Sequence, residues 1–359
     1  MRVLICELVP NEKVATFGNV GQAANTYILN FTAACSFTKT FAFVPIQIIP
    51  IQNFENTNNI EYFQSRKFKH KGVFKALNRL IESFSLLSRL FRYRKSANVW
   101  FYNITQHYFL IYVVAKYIFG SRVYVLLADL YLNENKFSLN SLFIKLINKS
   151  DGVISLSRGA EKLKIKKLSI SNGIISPATV VPTEVINKND YLFSGVLSKM
   201  KGIDLALEAF SRIPDKRLII SGMGPMLETV KEYASRFPNI EYLGWLDYAS
   251  YIKVLNEVNF CLSFRNPGDP ENQYNFPSKI IEFLQYGKIV ISTFNYPDIP
   301  QELLIHTGYD FESVKNTIHH LESTSDDALL DLSNNAKSFV NDNFSYKAIN
   351  DLVSKIERD

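Results

Sequence analysis

Asn275–Lys288 reads NFPSKIIEFLQYGK, a segment with both helix ends marked. Pro277 suits the first helical position, where its missing N–H costs nothing. Gly287 suits the left-handed residue just past the end. The run IVIST (289–293) follows, short, apolar and β-branched, as in a buried parallel strand. A polar loop, 265–275, precedes it. A loop feeding a helix N-terminus suits an anion, because free N–H groups and the helix dipole point at it. Lys279 lies in the first turn, and Glu282 follows about 300° further round, so the two share a face. Cation and carboxylate beside such an end fit a phosphorylated sugar. An exposed i,i+3 salt bridge on an ordinary helix fits the same residues.

Outward from this stretch, strands and helices alternate. Val3–Leu8 reads as a strand, 10–19 as a loop, and Gln22–Ala34 as a helix. Strands are expected at 41–52, 98–102, 122–127 and 152–156, and helices at 108–119, 139–148 and 157–165. Pro177–Asn189 holds two prolines and reads as a linker. Alternation restarts with strands at 191–194, 217–221, 240–243 and 260–263 and helices at 203–213, 226–236 and 248–258. The pattern predicts an α/β chain with two parallel, doubly wound halves. At 359 residues, two domains are expected. Gly18 and Gly21 fit a tight turn after the first strand, or close approach of a ligand. No G-x-G-x-x-G follows a strand, which argues against a nicotinamide-dependent oxidoreductase.

Composition is that of a globular protein, 47% hydrophobic and 21% charged. No apolar run reaches the roughly 18–20 residues that span a bilayer. Met1-Arg2 leads directly into a strand pattern, so no leader is expected and the location expected is the cytoplasm. Cys6, Cys35 and Cys261 are widely spaced in apolar surroundings, the pattern of buried thiols and not of a metal site.

Segment 66–95 is unusual: ten basic residues stand against one acid, Glu82. Phe74, Leu77, Leu80, Ile81, Phe84, Leu87, Leu90 and Phe91 recur near helical period. A basic amphipathic helix suits anionic lipid headgroups; a solvated charged face over a core helix is the alternative. Nucleic acid is not expected, since no recognition motif accompanies the charge.

LFSGVLSKMKGIDLALEAF (192–210), LIISGMGP (218–225), IEYLGWL (240–246) and NFPSKIIEFLQYGKIVIST (275–293) together resemble, in order and spacing, the donor domain of retaining nucleotide-sugar glycosyltransferases of family 4, glycosyl transferases group 1. VLLADLY (125–131) and DGVISLS (151–157) are similar to parts of the acceptor domain. The resemblance implies the GT-B fold: two Rossmann-like domains facing across a cleft, with a last helix crossing back. It places an acceptor domain at 1–180, a donor domain at 181–338 and the closing helix at 339–359.

Carried over residue by residue, the resemblance makes Lys201 the lysine of the donor diphosphate and Glu282 the carboxylate for the ribose hydroxyls. Gly222 and Gly224 match the loop under the nucleotide, and Trp245 lies where main chain meets the base. Phe276, Ser278 and Lys279 belong to an FPSK variant of the motif. Tyr274 occupies the place of a second glutamate, Val196 that of a second phosphate cation, and Ala128 that of the acceptor-side histidine. Asp129 is the candidate catalytic group, with His107, Gly18 and Gly21 on the acceptor side.

The implied reaction moves a sugar from a UDP or GDP sugar to an oligosaccharide or polyprenyl-diphosphate-linked acceptor during synthesis of bacterial capsule or O-antigen. No metal or other cofactor is expected. The protein is expected on the inner face of the membrane, held through 66–95. A non-catalytic GT-B partner or nucleotide-binding subunit, and a nucleotide-sugar epimerase on the same fold, are the alternatives.

Overall fold

The computed structural model describes residues 1–9, 22–44, 59–63, 73–94, 96–104, 108–128, 139–177, 186–269, 272 and 276–359. The chain divides into two compact units, Met1–Ser176 with Tyr346–Asp359, and Pro177–Ser345.

In the first unit, short β-branched and aromatic runs form β1 (Arg2–Glu7), β2 (Lys39–Phe43), β3 (Ile60–Phe63), β4 (Asn98–Tyr102), β5 (Arg122–Leu127), β6 (Gly152–Ser155) and β7 (Leu168–Ile170). The helices between them are α1 (Gln22–Cys35), α2 (Val73–Leu90), α3 (Phe109–Val113) and α4 (Leu139–Ile147). The sheet runs β3-β2-β1-β4-β5-β6-β7, with every pairing parallel. Successive strand residues face opposite ways. Val3 and Ile5 therefore join one core with Phe101 and Val123, while Leu4 and Cys6 join another with Trp100 and Tyr124.

Several expected boundaries move. The expected helix 108–119 is α3 followed by a wider turn over Val114–Ile118, closed by Gly120 at φ 66°. The segment after Ser157 is a 3-10 helix, Arg158–Leu163, and the Ser157 side chain accepts from the Gly159 N–H as expected of a cap. The strands β3 and β7 were not legible, being short and only partly buried. In α2, the apolar residues expected to form one face are split. Leu86, Leu87 and Leu90 are buried, while Leu77, Leu80 and Phe84 are exposed.

The second unit contains β8 (Asp190–Val196), α5 (Ile203–Ser211), β9 (Arg217–Met223), α6 (Leu227–Arg236), β10 (Ile240–Tyr242), α7 (Tyr248–Glu257), β11 (Phe260–Ser263), α8 (Ser278–Gln285), β12 (Ile289–Ser292), β13 (Ile305–His306), α9 (Phe311–Ser323) and α10 (Asp326–Phe344). Its sheet order is β10-β9-β8-β11-β12-β13, again all parallel. Strand order reverses between β8 and β11. In open parallel sheets that switch point, at the carboxyl ends of the strands, is where ligands bind.

The last helix, α11 (Tyr346–Arg358), belongs to the first unit. Residues 339–345, expected in the same element, end α10 and stay with the second unit. Ile349, Val353 and Ile356 are buried against the face that holds Trp100 and Tyr124. A Cβ on Gly152 would lie 2.3 Å from Ile356 Cγ2, so glycine there lets the helix approach. Arg2 donates to Glu357 Oε2 at 2.9 Å, to Asn350 Oδ1 at 2.7 Å and to Ser354 Oγ at 2.8 Å, and Trp100 donates to Glu357 Oε1 at 2.9 Å.

Candidate functional site

The switch point of the second sheet is tied together by backbone. After β8 the chain makes a tight 3-10 turn over Lys199–Lys201 and enters α5 through Gly202 at φ 74°. A Cβ on Gly202 would lie 2.3 Å from the carbonyl oxygen of Phe264, just past β11. Only glycine satisfies both the left-handed conformation and this approach. Lys201 is half-buried at this turn. Helix α5 begins without a side-chain cap, so its first N–H groups are left for other acceptors.

Arg265 follows β11 and is buried. Its backbone N–H donates to Thr293 Oγ1 at 2.7 Å, and that hydroxyl donates back to the Arg265 carbonyl at 2.8 Å, clamping the ends of β11 and β12. Its guanidinium donates to Asn272 Oδ1 at 2.9 Å. Asn272 in turn donates to the Met200 carbonyl at 3.1 Å and the Asn266 carbonyl at 2.9 Å. The loops after β8 and β11 therefore form one unit, with Lys201 and Arg265 on it. Burial lowers the Arg265 pKa from its ordinary value.

On the β9 and β10 side, Gly222 sits at φ 140°, and a Cβ there would fall 1.8 Å from the Gly195 carbonyl oxygen. A Cβ on Gly224 would likewise clash with the Leu197 carbonyl oxygen. Trp245 lies just after β10 and is exposed. Val196 and Met223 are register partners at the strand ends, and both are exposed.

Helix α8 carries the remaining expected residues. It starts at Ser278, with Pro277 as an extended N-cap making no side-chain bond, and Gly287 takes the left-handed conformation past its end at φ 66°. The helix is thus shorter than Asn275–Lys288, and Pro277 stands one position before the first turn. Lys279 Nζ lies 3.7 Å from Glu282 Oε2. This pair is more than a surface salt bridge. The Tyr251 hydroxyl, from α7, donates to Glu282 Oε2 at 2.9 Å, and Lys279 Nζ lies 4.0 Å from the centroid of the Tyr251 ring. Burial, then Glu282, raises the Tyr251 and Tyr248 hydroxyls well above the ordinary tyrosine value. Burial lowers Lys279, and Glu282 opposes that shift. The Phe276 ring meets Tyr296 edge-on at 5.3 Å.

The structure thus brings Lys279 and Glu282 together and sets Gly222 at the end of β9, and Lys201, Gly224 and Trp245 on the turns beyond the strands, at the carboxyl edge of the same sheet. Tyr274, Asp129, His107, Gly18 and Gly21 lie outside the described residues. Sequence reading missed Tyr251, Tyr248 and Asn272. The tyrosines had a usable signal: they are three apart at the start of the helix that follows GWLD, where Asp247 accepts from the Ser250 N–H at 2.8 Å as the cap. In the first unit, Asn103 Oδ1 accepts from the Ala128 N–H at 2.8 Å, and Asn25 exchanges two bonds with the Val9 backbone. Among the described residues, no group of three or more His, Cys, Asp or Glu side chains is placed to hold a metal ion.

The second unit, which carries this edge, is the part of the chain that the family comparison matches. Residues 181–341 match the family described as Glycosyl transferases group 1. The group 1 match spans β8 to α10 and contains Lys201, Gly222, Gly224, Trp245, Lys279 and Glu282. No curated protein sequence matches the chain. Among solved structures, Anabaena Alr3699/HepE in complex with UDP is similar over 100% of both chains at 14% identity and TM-score 0.70. Sucrose-phosphate synthase from Thermosynechococcus elongatus is similar over 99% of this chain and 98% of its own, at 14% identity and TM-score 0.68. A glycosyltransferase from Rickettsia africae is similar over 99% and 97%, at 15% identity and TM-score 0.67. At such identities the likeness speaks for the fold, and the fold is GT-B, two Rossmann-like domains.

Proposed function

We propose that this protein is a retaining glycosyltransferase of family 4 that moves a hexose from a UDP or GDP sugar to a lipid-linked or oligosaccharide acceptor in the synthesis of a bacterial surface polysaccharide. The observation that carries the reading is the carboxyl edge of the second sheet, where a lysine turn meets β11 at the switch point and Glu282 stands on α8. The C1–O bond to the diphosphate breaks, a bond to the acceptor oxygen forms, and the acceptor proton leaves with the diphosphate. Negative charge grows on the departing diphosphate, so preorganised cations and N–H groups there lower the barrier. Lys201, the open N-terminus of α5 and Lys279 supply that field, and no metal is required. Glu282 is the carboxylate for a ribose diol, held in place by Tyr251 at Oε2.

Support for UDP comes from Alr3699/HepE, solved with UDP and with UDP-glucose. The acceptor-side assignments Asp129, His107, Gly18 and Gly21 come from the sequence alone. The acceptor is set at the inner face of the plasma membrane, where a polyprenyl diphosphate carrier is found.

The test is a thermal-shift panel with UDP, GDP, ADP, CMP and NAD, without metal, followed by transfer assays with and without EDTA. A ligand at ~100 times its Kd stabilises by about 2.7 kcal/mol, so one nucleoside diphosphate is expected to stand out. No shift with any of the five overturns the donor site. NMR of the product's anomeric proton tests retention. A second reading, a nucleotide-binding partner without catalysis, is favoured by one observation: Val196, where the resemblance expects a cation, is exposed at the end of β8. Hydrolysis of the donor in the absence of acceptor counts against it.

A further inference from the structure

Helix α2 is turned against the usual rule. Asn78, Glu82 and Ser83 are buried, while Leu77 is 40% exposed, Leu80 45% and Phe84 64%. At about 100° per residue, Leu77, Leu80 and Phe84 fall within an arc of about 60°, roughly opposite the buried Glu82 and Leu86. Phe91, in the turn that follows, is 48% exposed and extends the stripe. The Phe91 ring packs edge-on against Phe119 at 5.6 Å, at the end of the neighbouring helical segment. Beside it, Tyr117 is 59% exposed and Ile118 71%. Six large apolar side chains are thus exposed on two neighbouring helical segments of the first unit. Such a patch marks an interaction surface.

The charge around the patch says what covers it. Glu82 is the single acid between Val73 and Arg94, and it is buried, so this helix offers no carboxylate to an outside partner. Arg92 is exposed, and the Arg94 guanidinium lies 3.6 Å from the centroid of the Phe91 ring. No acid lies between Phe109 and Phe119 either, and Lys116 is paired with Asp151 at 2.8 Å. Apolar and aromatic groups flanked by arginines, with the neighbouring acids Glu61 and Asp151 paired to Arg89 and Lys116, suit an interface where hydrocarbon lies below anionic headgroups. Among the described residues no helix is long and apolar enough to cross a membrane. We propose that the face formed by Leu77, Leu80, Phe84, Phe91, Tyr117 and Ile118 lies in the surface of an anionic lipid bilayer, with Arg92 and Arg94 on its phosphates. This deepens the membrane part of the proposed function, yet it stands on the first unit alone and needs no nucleotide.

The experiment is flotation of the full chain with phosphatidylcholine vesicles, with and without 30% phosphatidylglycerol. The wild type is expected to float with the anionic vesicles. F84S/I118S is expected to lose at least about tenfold in partitioning at low salt, since the apolar contribution scales with buried area. R92Q/R94Q is expected to bind neutral and anionic vesicles alike. Phe84, Ile118 and Arg92 are exposed and Arg94 is half-buried, so unchanged thermal unfolding is the control for folding. I118C labelled with an environment-sensitive dye is expected to shift to the blue on anionic vesicles. Wild type that stays with the soluble fraction, or F84S/I118S that floats like wild type, overturns the proposal. So does a wild-type dimer that F84S/I118S converts to monomer without vesicles, for then a second copy covers the face. The UDP thermal shift is read separately: its absence sinks the donor site and leaves the docking face standing.

Discussion

Tyr251 reaches from the first turn of α7 to Glu282 on α8 and donates its hydroxyl to Oε2 at 2.9 Å. The Lys279 ammonium lies over the same tyrosine ring at 4.0 Å. The ring therefore fixes two charged groups at once. We predict that Tyr251→Phe weakens nucleoside diphosphate binding about tenfold, a net hydrogen bond to a charged group being worth roughly 1.5 kcal/mol or more. Glu282→Ala is expected to abolish binding. Isothermal titration calorimetry checks both, and a Tyr251→Phe variant with wild-type affinity refutes the positioning role.

Lys201 predicts a different signature. A cation for the diphosphate acts on UDP and leaves uridine alone. Lys201→Ala is expected to lower UDP affinity by at least about tenfold, as for loss of one charge-assisted contact, while uridine affinity stays level. Equal losses for both ligands place the lysine elsewhere.

Gly202→Ala tests the backbone argument. The substitution combines a left-handed φ of 74° with a Cβ 2.3 Å from the Phe264 carbonyl oxygen. Destabilisation of about 2 kcal/mol or more is expected, as for strain at a special backbone position. Chemical denaturation checks it, and a variant as stable as wild type shows that the loops after β8 and β11 are free to part.

Much of this was legible in the sequence because it depends on local pattern. Strands such as Asn98–Tyr102 and Phe260–Ser263 are short buried runs that look like nothing else. Glu282 and Lys279 are visible as a pair because helical spacing brings them together. Tyr251 was not, since its contact with Glu282 spans 31 residues and depends on how α7 packs beside α8. The face of α2 was misread for a related reason. Periodicity finds an apolar stripe but cannot say which side of the helix the core takes, and here the core takes Asn78, Glu82 and Ser83 with Leu86 and Leu90.

The three thiols give a pH-dependent prediction. Cys6 and Cys261 are pushed up strongly by burial, and Cys35 to about 12, burial outweighing Arg2. The thiolate is the reactive form, and at pH 8 it is scarce in the folded chain. Iodoacetamide is expected to leave all three unmodified in native protein at pH 8 and to modify all three in 6 M guanidinium, read by intact mass. Rapid native labelling of Cys35 shows that its site opens.

Glu357 joins the last helix to the first strands. Its Oε2 accepts from Arg2 at 2.9 Å and its Oε1 from Trp100 at 2.9 Å. Removing the carboxylate leaves an indole N–H and a largely buried guanidinium short of an acceptor, and such losses cost more than the bond itself contributes. Glu357→Ala is expected to destabilise the first unit by about 2–3 kcal/mol. Glu357→Gln keeps an acceptor for one donor and is expected to recover part of that loss. The measurement is urea unfolding followed by tryptophan fluorescence, with Trp245→Phe as background so that Trp100 alone reports. An Ala variant as stable as its parent shows that the apolar side chains Ile349, Val353 and Ile356 hold the helix without the ion pair.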